Sequence, residues 1–145
     1  RSNGPLSVKA GCSMPPDRPE VLLRKAKQDE LAVEKLLDDR DIEDDLIGFH
    51  AQQAAEKMLK ALLAARQVDY PKTHNLRVLV ELLFAEGVRL PEKLSEIDRL
   101  TQFGTTFRYD SISIADSRDR MIWLGWIRDL RAFVEPLILQ VRDGS

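Results

Sequence analysis

The feature that most limits what this chain can become is the run 46–65, LIGFHAQQAAEKMLKALLAA. With its residues placed about 100° apart and His50 at zero, Ile47, Ala51, Ala54, Ala55, Met58 and Leu62 fall between roughly 40° and 140°. That is one continuous apolar stripe of a helix that must be covered by other helices. At its border stand His50, Gln53 (near ~300°) and Lys57 (near ~340°), one above the next within about 60°. A surface helix has no evident need for His, Gln and Lys at that border, so this edge is the first functional candidate.

The rest of the chain supplies partners for that helix. From Glu20 to Leu37, Leu22, Ala26, Val33 and Leu36 alternate with charge as in an amphipathic helix. Asp38–Asp45 is an acidic junction, with Asp41 a suitable N-cap for a second helix over Ile42–Arg66. Pro71 biases Tyr70 away from helix, and Thr73 or Asn75 can cap a third helix carrying Leu76, Leu79, Val80 and Leu83. Gly87 is its expected stop. Pro91 then opens an expected fourth helix with Leu94, Ile97, Leu100, Phe103 and Phe107 on one side. After a loop at 108–116, a last helix runs from Asp116 or Ser117 to Val141. Its seam is Trp123, Ile127, Leu130, Val134, Leu137 and Val141, with a kink expected at Pro136. No segment reads as a strand. The pattern predicts an all-α, antiparallel up-and-down bundle of four long helices plus a shorter one. Ile122, Trp126 and Phe133 widen the apolar face of the last helix beyond one seam and are candidates for a homodimer interface.

Residues 1–13, RSNGPLSVKAGCS, precede Met14 and show no apolar periodicity; they read as an appended or disordered tail, leaving 14–145 as one domain. Cys12 is the only cysteine, which excludes an internal disulfide or cysteine-based zinc site and suits a reducing, cytoplasmic setting. No run approaches the roughly 18 apolar residues of a membrane span. The net charge of −2 argues against tight nucleic-acid binding by the whole surface. Charge is nevertheless uneven. Residues 17–45 carry eleven acids and six bases, whereas residues 57–77 carry five bases and one acid.

Two histidines, neither preceded by Glu at the third position before it, exclude the helical carboxylate–histidine ligands of di-iron bundles; no metal or cofactor is expected. Zinc-protease, phosphate-loop and dinucleotide patterns are missing. What remains is His50, Gln53, Lys57, Lys60, Lys72, Thr73, His74 and, farther on, Arg108 and Tyr109. Lys and Arg neutralise phosphate, Gln, His and Thr bond to a base or ribose, and Tyr stacks. His74 also lies beside a helix N-terminus, where free N–H groups favour an anion. Against this, a border His commonly just satisfies a hydrogen bond, Gln and Lys are ordinary surface residues, and Thr73 and His74 can be mere caps.

The run FHAQQAAEKMLKALL (49–63), followed by YPKTHNLRVLVELL (70–83) and FRYD (107–110), resembles the HEPN family, the higher eukaryotes and prokaryotes nucleotide-binding domain. The resemblance spans roughly residues 19–142. It implies a helical bundle, commonly dimeric, often encoded beside a minimal nucleotidyltransferase in two-protein, toxin–antitoxin-like systems. Many members are metal-independent ribonucleases whose Arg is followed by a His after about four to six residues. In that chemistry His transfers a proton and Arg steadies the phosphorane. Here nine residues separate Arg40 from His50 and seven separate Arg66 from His74, and no His follows Arg108. With that motif absent, the resemblance implies a nucleotide- or RNA-binding bundle with a nucleotidyltransferase partner and no assigned catalytic residue. A ribonuclease with a rearranged site using His50 or His74 and Arg108, and a non-catalytic dimerisation scaffold, are the alternatives.

Overall fold

The computed structural model describes residues 18–104 and 117–144. These form α1 (Pro19–Leu36), α2 (Asp44–Ala65), α3 (Leu76–Ala85), two 3₁₀ segments (Glu92–Leu94 and Ile97–Phe103) and α4 (Ser117–Gly144). The expected all-α bundle is what is observed, with no strand among the described residues. Pro19 occupies the first turn of α1, where a missing N–H costs nothing. The start of α2 falls at Glu43–Asp44 rather than at Asp41, whose own N–H instead bonds the Asp39 carboxylate within the junction. Asn75 caps α3 by accepting from the Arg77 N–H, while the Thr73 hydroxyl accepts from the Asn75 N–H.

α2 is the central element. It packs most extensively on α1, then on α4, the second 3₁₀ segment and α3. Its predicted stripe of Ile47, Ala51, Ala54, Ala55, Met58 and Leu62 is fully buried. Leu59 and Leu63, near ~180° and ~220° on the same wheel, are buried as well, so α2 is covered on two faces. Gly48 explains one close approach: a Cβ there would lie 2.6 Å from the ring of Phe103. That ring in turn packs against Trp123 of α4, with centroids 4.9 Å apart.

Ion pairs report chain direction. Glu34, Glu30 and Lys27 of α1 meet Arg128, Arg131 and Glu135 of α4 in reverse order, which makes α1 and α4 antiparallel. Asp29 of α1 meets His50 and Lys57 of α2 across the short turn joining those two helices. α3 runs in the same sense as α2, because the Gln52 side chain bonds the His74 carbonyl near its start and the Arg66 side chain bonds the Glu86 carbonyl near its end. The connection 66–75 therefore returns along α2 as a strap.

Both α2 and α3 end in the same hydrogen-bonded turn. Val68 N–H reaches Leu63 O and Gln67 N–H reaches Ala64 O; Val88 and Gly87 repeat this with Leu83 and Phe84. The left-handed position is Gly87 (φ 87°) in one and Gln67 (φ 61°) in the other.

The expected fourth α-helix is instead the pair of 3₁₀ segments. Leu94, Ile97, Leu100 and Phe103 recur every third residue, which in an α-helix would drift by about 60° per step but in a 3₁₀ helix stays on one face. Leu94, Ile97 and Leu100 are buried accordingly. In α4, Trp123, Ile127, Leu130 and Val134 are buried as predicted; past that point Ile138 is buried while Leu137 is half-buried, although Pro136 lies inside the helix. Ile122 is 48% exposed, whereas Trp126 and Phe133 are half-buried against the core.

Candidate functional site

The polar border of α2 divides into two clusters. In the first, Asp29 of α1 receives both His50 (Nδ1 to Oδ1, 3.0 Å) and Lys57 (Nζ to Oδ2, 2.5 Å). Asp29 is well shielded, and the two α2 side chains, about two helical turns apart, grip it together. The arrangement joins α1 to α2.

The second cluster lies where the strap 66–75 passes over α2. Lys60 stands 5.5 Å from the centroid of Tyr70, His74 bonds Glu56, and the His74 carbonyl reaches Gln52. Successive strap residues thus meet α2 positions in descending order. Gln52 is fully buried and Glu56 is 5% exposed. Gln52 Nε2 donates to Glu56 Oε1 (3.0 Å) and to His74 O (2.9 Å); its own Oε1 accepts from Gln53 Nε2 (2.9 Å). Lys60 Nζ donates to Glu56 Oε2 at 2.7 Å, and His74 Nδ1 lies 3.0 Å from Glu56 Oε1. Gln52 packs directly on Gly104, where a Cβ would sit 2.7 Å from its amide carbon.

These bonds set the charge of the cluster. Burial alone pushes the Glu56 carboxyl up, but the hydrogen bonds from Lys60, His74 and Gln52, with the charge of Lys60, outweigh it and hold the group below its ordinary value of 4.5. Glu56 is therefore an ionised carboxylate at neutral pH. The His74 ring, with its side chain 55% exposed, is pinned through Nδ1 and turns its other edge outward. Lys72, two residues back on the strap, is exposed and has no ion pair among the described residues.

Of the residues singled out from the sequence, the structure gathers Lys60, Thr73 and His74 around the strap, with Gln53 tied in through Gln52, and draws His50 and Lys57 to Asp29. Arg108 and Tyr109 lie outside the described residues, as does Phe107. Glu56 and Gln52, the residues that hold the cluster together, had no place in the sequence-based candidate set. The signal for them was Leu59 and Leu63: apolar residues on the opposite face show that polar side chains at ~200° and ~240° must be buried, and buried polar groups need partners. No group of three or more His, Cys, Asp or Glu that could hold a metal ion occurs among the described residues. Nor is any helix among them long and apolar enough to cross a membrane.

Comparison with known proteins agrees with this architecture. The crystal structure of an archaeal HEPN homologue superposes with a TM-score of 0.63 at 20% identity, covering 84% of this chain and 98% of the other. At that identity the likeness speaks for the fold. No curated protein matches the sequence. The family model for the HEPN domain matches residues 19–136, from the first turn of α1 to Pro136 of α4, and the chain therefore belongs to the HEPN domain family.

Proposed function

We propose that this HEPN protein binds a nucleotide or RNA through the strap side of α2, working with a minimal nucleotidyltransferase partner in a two-protein, toxin–antitoxin-like system. The observation that carries the binding reading is His74, an exposed imidazole fixed by a buried carboxylate that Lys60 shares, two residues along the strap from Lys72, which is exposed and has no ion pair among the described residues. Lys72 supplies a charge for phosphate, the pinned ring a hydrogen-bonding edge, and Thr73 lies between them. His50, Gln53 and Lys57 continue the same edge along α2, with His50 and Lys57 contributing chiefly by locking α1 in place. The partner rests on the family resemblance alone. Self-association of the chain is supported by the exposed Ile122 and Met121 on α4.

The test is fluorescence anisotropy of labelled nucleoside triphosphates and short RNAs with wild type, Lys72→Ala and His74→Ala. Binding that weakens in both variants is expected; absence of binding by the wild type at millimolar ligand removes the reading. A metal-independent ribonuclease is the second reading. A carboxylate–imidazole pair of the Glu56–His74 kind is suited to proton transfer. RNA cleavage in EDTA that is lost in His74→Ala separates it from binding alone.

A further inference from the structure

α3 carries more apolar surface than the core uses. Leu76, Leu79 and Leu83 are fully buried, whereas Val80 is half-buried and Phe84, one turn on, is 57% exposed. After the turn at Gly87 the chain runs back beside that outer face, and Val88, Leu90, Leu94 and Ile97 line the side opposite Val80 and Phe84. The cleft between them has a volume of about 490 Å³, within the roughly 300–1,000 Å³ of small-molecule sites. It is bounded at both ends. At one end the turn 86–90 joins the two walls covalently; at the other, Arg77 of α3 meets Asp98 of the second 3₁₀ segment at 2.8 Å. From Arg77 to Phe84 the helix rises about 10 Å, which sets the length of the cleft. A peptide laid through it would have to break the Arg77–Asp98 pair, so the shape suits a short ligand.

The rim decides what charge that ligand carries. Arg77 is engaged by Asp98 and, at 4.0 Å, by Glu81. Arg89 lies over the exposed ring of Phe84, 5.1 Å from its centroid, and no carboxylate pairs with it among the described residues. The ring holds the guanidinium in place, and a carboxylate can meet two of its N–H donors at once. Glu81, Glu92 and Asp98 also border the cleft and outnumber Arg77 and Arg89. A multiply charged anion such as a nucleotide is therefore repelled, while a single negative charge is accepted at Arg89. We propose that this cleft binds a small organic monocarboxylate, an aliphatic acid of about the cleft's length, with its carboxylate on Arg89 and its chain between Phe84 and Leu90. The site is separate from the strap 66–75, none of whose residues lines it.

The test titrates octanoate, 1-octanol and ATP into the full ¹⁵N-labelled chain and follows its amide resonances. Octanoate at millimolar concentration should move the amides of Val80, Phe84, Val88 and Arg89 together. 1-Octanol should move the same set with about three- to tenfold weaker affinity, the worth of one charge-assisted pair at an exposed rim. ATP should leave them in place. Arg89→Gln should bring octanoate down to the affinity of octanol and leave octanol unchanged, and Phe84→Ala should weaken both. Both side chains lie at the surface, so neither change removes a core contact, and the contrast between octanoate and octanol in the wild type needs no variant. No response of the cleft amides to octanoate, or shifts scattered over other exposed apolar residues such as Ile122 and Leu139, overturns the proposal. Equal affinity for octanoate and octanol, a preference that survives Arg89→Gln, or ATP binding at the same amides does so as well. Tighter binding there by an acidic, leucine-rich peptide would instead make the cleft a protein-docking surface, and a change in those amides on diluting the ligand-free chain would mean that a second copy fills it; either result overturns the small-acid site.

Discussion

Replacing Arg120 by alanine should be among the most destabilising single changes available in this chain. Arg120 is 5% exposed, at the start of α4, yet its guanidinium serves the junction between α1 and α2. Nε donates to Asp44 Oδ1 at 2.6 Å, Nη1 to the carbonyls of Leu37 (3.0 Å) and Asp39 (3.1 Å), and Nη2 to the carbonyl of Ile42. The junction carries the last carbonyls of α1 and the first residues of α2, and Arg120 bonds both sides of it. Breaking a buried charge pair costs about 3–5 kcal/mol, because the partner is left desolvated and unpaired. Asp44 keeps a quarter of its side chain exposed and Asp39 is at the surface, so water can rescue part of the loss. We therefore expect the low end, about 3 kcal/mol. For a chain near this length each kcal/mol moves the midpoint by roughly 2–4 °C, which gives a fall of about 10 °C. The comparison is Arg128→Ala, whose pair with Glu34 is 3.5 Å long and half-exposed on both sides, and which should shift stability by less than about 0.5 kcal/mol. Thermal unfolding followed by circular dichroism at 222 nm reads both. Midpoints of the two variants within 2 °C of each other, on the order of the per-kcal/mol shift itself, would refute the claim that Arg120 holds the junction.

Three further outcomes follow from other parts of the molecule. The Glu56 carboxyl is held below its ordinary value, so its contribution is fully present above that value and is lost as pH falls through the lower, folded-state one; the stability gap between wild type and Glu56→Gln, measured by urea unfolding, should be widest near neutrality and close as the pH falls below the ordinary carboxylate value, and a gap that stays constant with pH contradicts the assignment. Gln67 is exposed and holds φ at 61°, where a side chain costs about 1 kcal/mol, so Gln67→Gly should raise the midpoint by roughly 2–4 °C; a fall instead would mean that the unfolded-state entropy of glycine outweighs the strain. Sedimentation at tens of micromolar should show a dimer that Ile122→Asp dissociates without changing the helical spectrum; a monomeric wild type removes the proposed interface.

How much of this could be read from the chain depended on whether one period or several were acting. The stripe of α2 was legible because six apolar residues at helical spacing need one buried face. The segment after Pro91 reads as an α-helix because apolar residues every third position satisfy a loose helical template, and only the exact repeat of three points to the 3₁₀ geometry it adopts. Arg120 gave no signal at all, since a single arginine on an amphipathic helix reads as solvated until the carbonyls it bonds are in place. The polar edge of α2 proposed for binding was half legible. His50, Gln53 and Lys57 were found by their shared border, but which of them faces a neighbour depends on Asp29, a residue of another helix.

Glu56 and Gln52 mark where a one-face reading of a helix stops working. A helix at the centre of a bundle is covered on more than one side, so its polar residues cannot be assigned to solvent by their distance from one stripe. Once Leu59 and Leu63 show a second apolar face, Gln52 and Glu56 must lie inside and must be bonded, and only a residue brought over α2 by another segment can meet them. The strap 66–75 is that segment, and His74 is the residue it delivers. A buried carboxylate with an amide beside it and an exposed imidazole at its end would be an unnecessarily elaborate way to pin a loop, because apolar contacts could hold the strap without burying a charge. The arrangement is better explained by what it leaves exposed: one oriented imidazole at the surface beside the central helix.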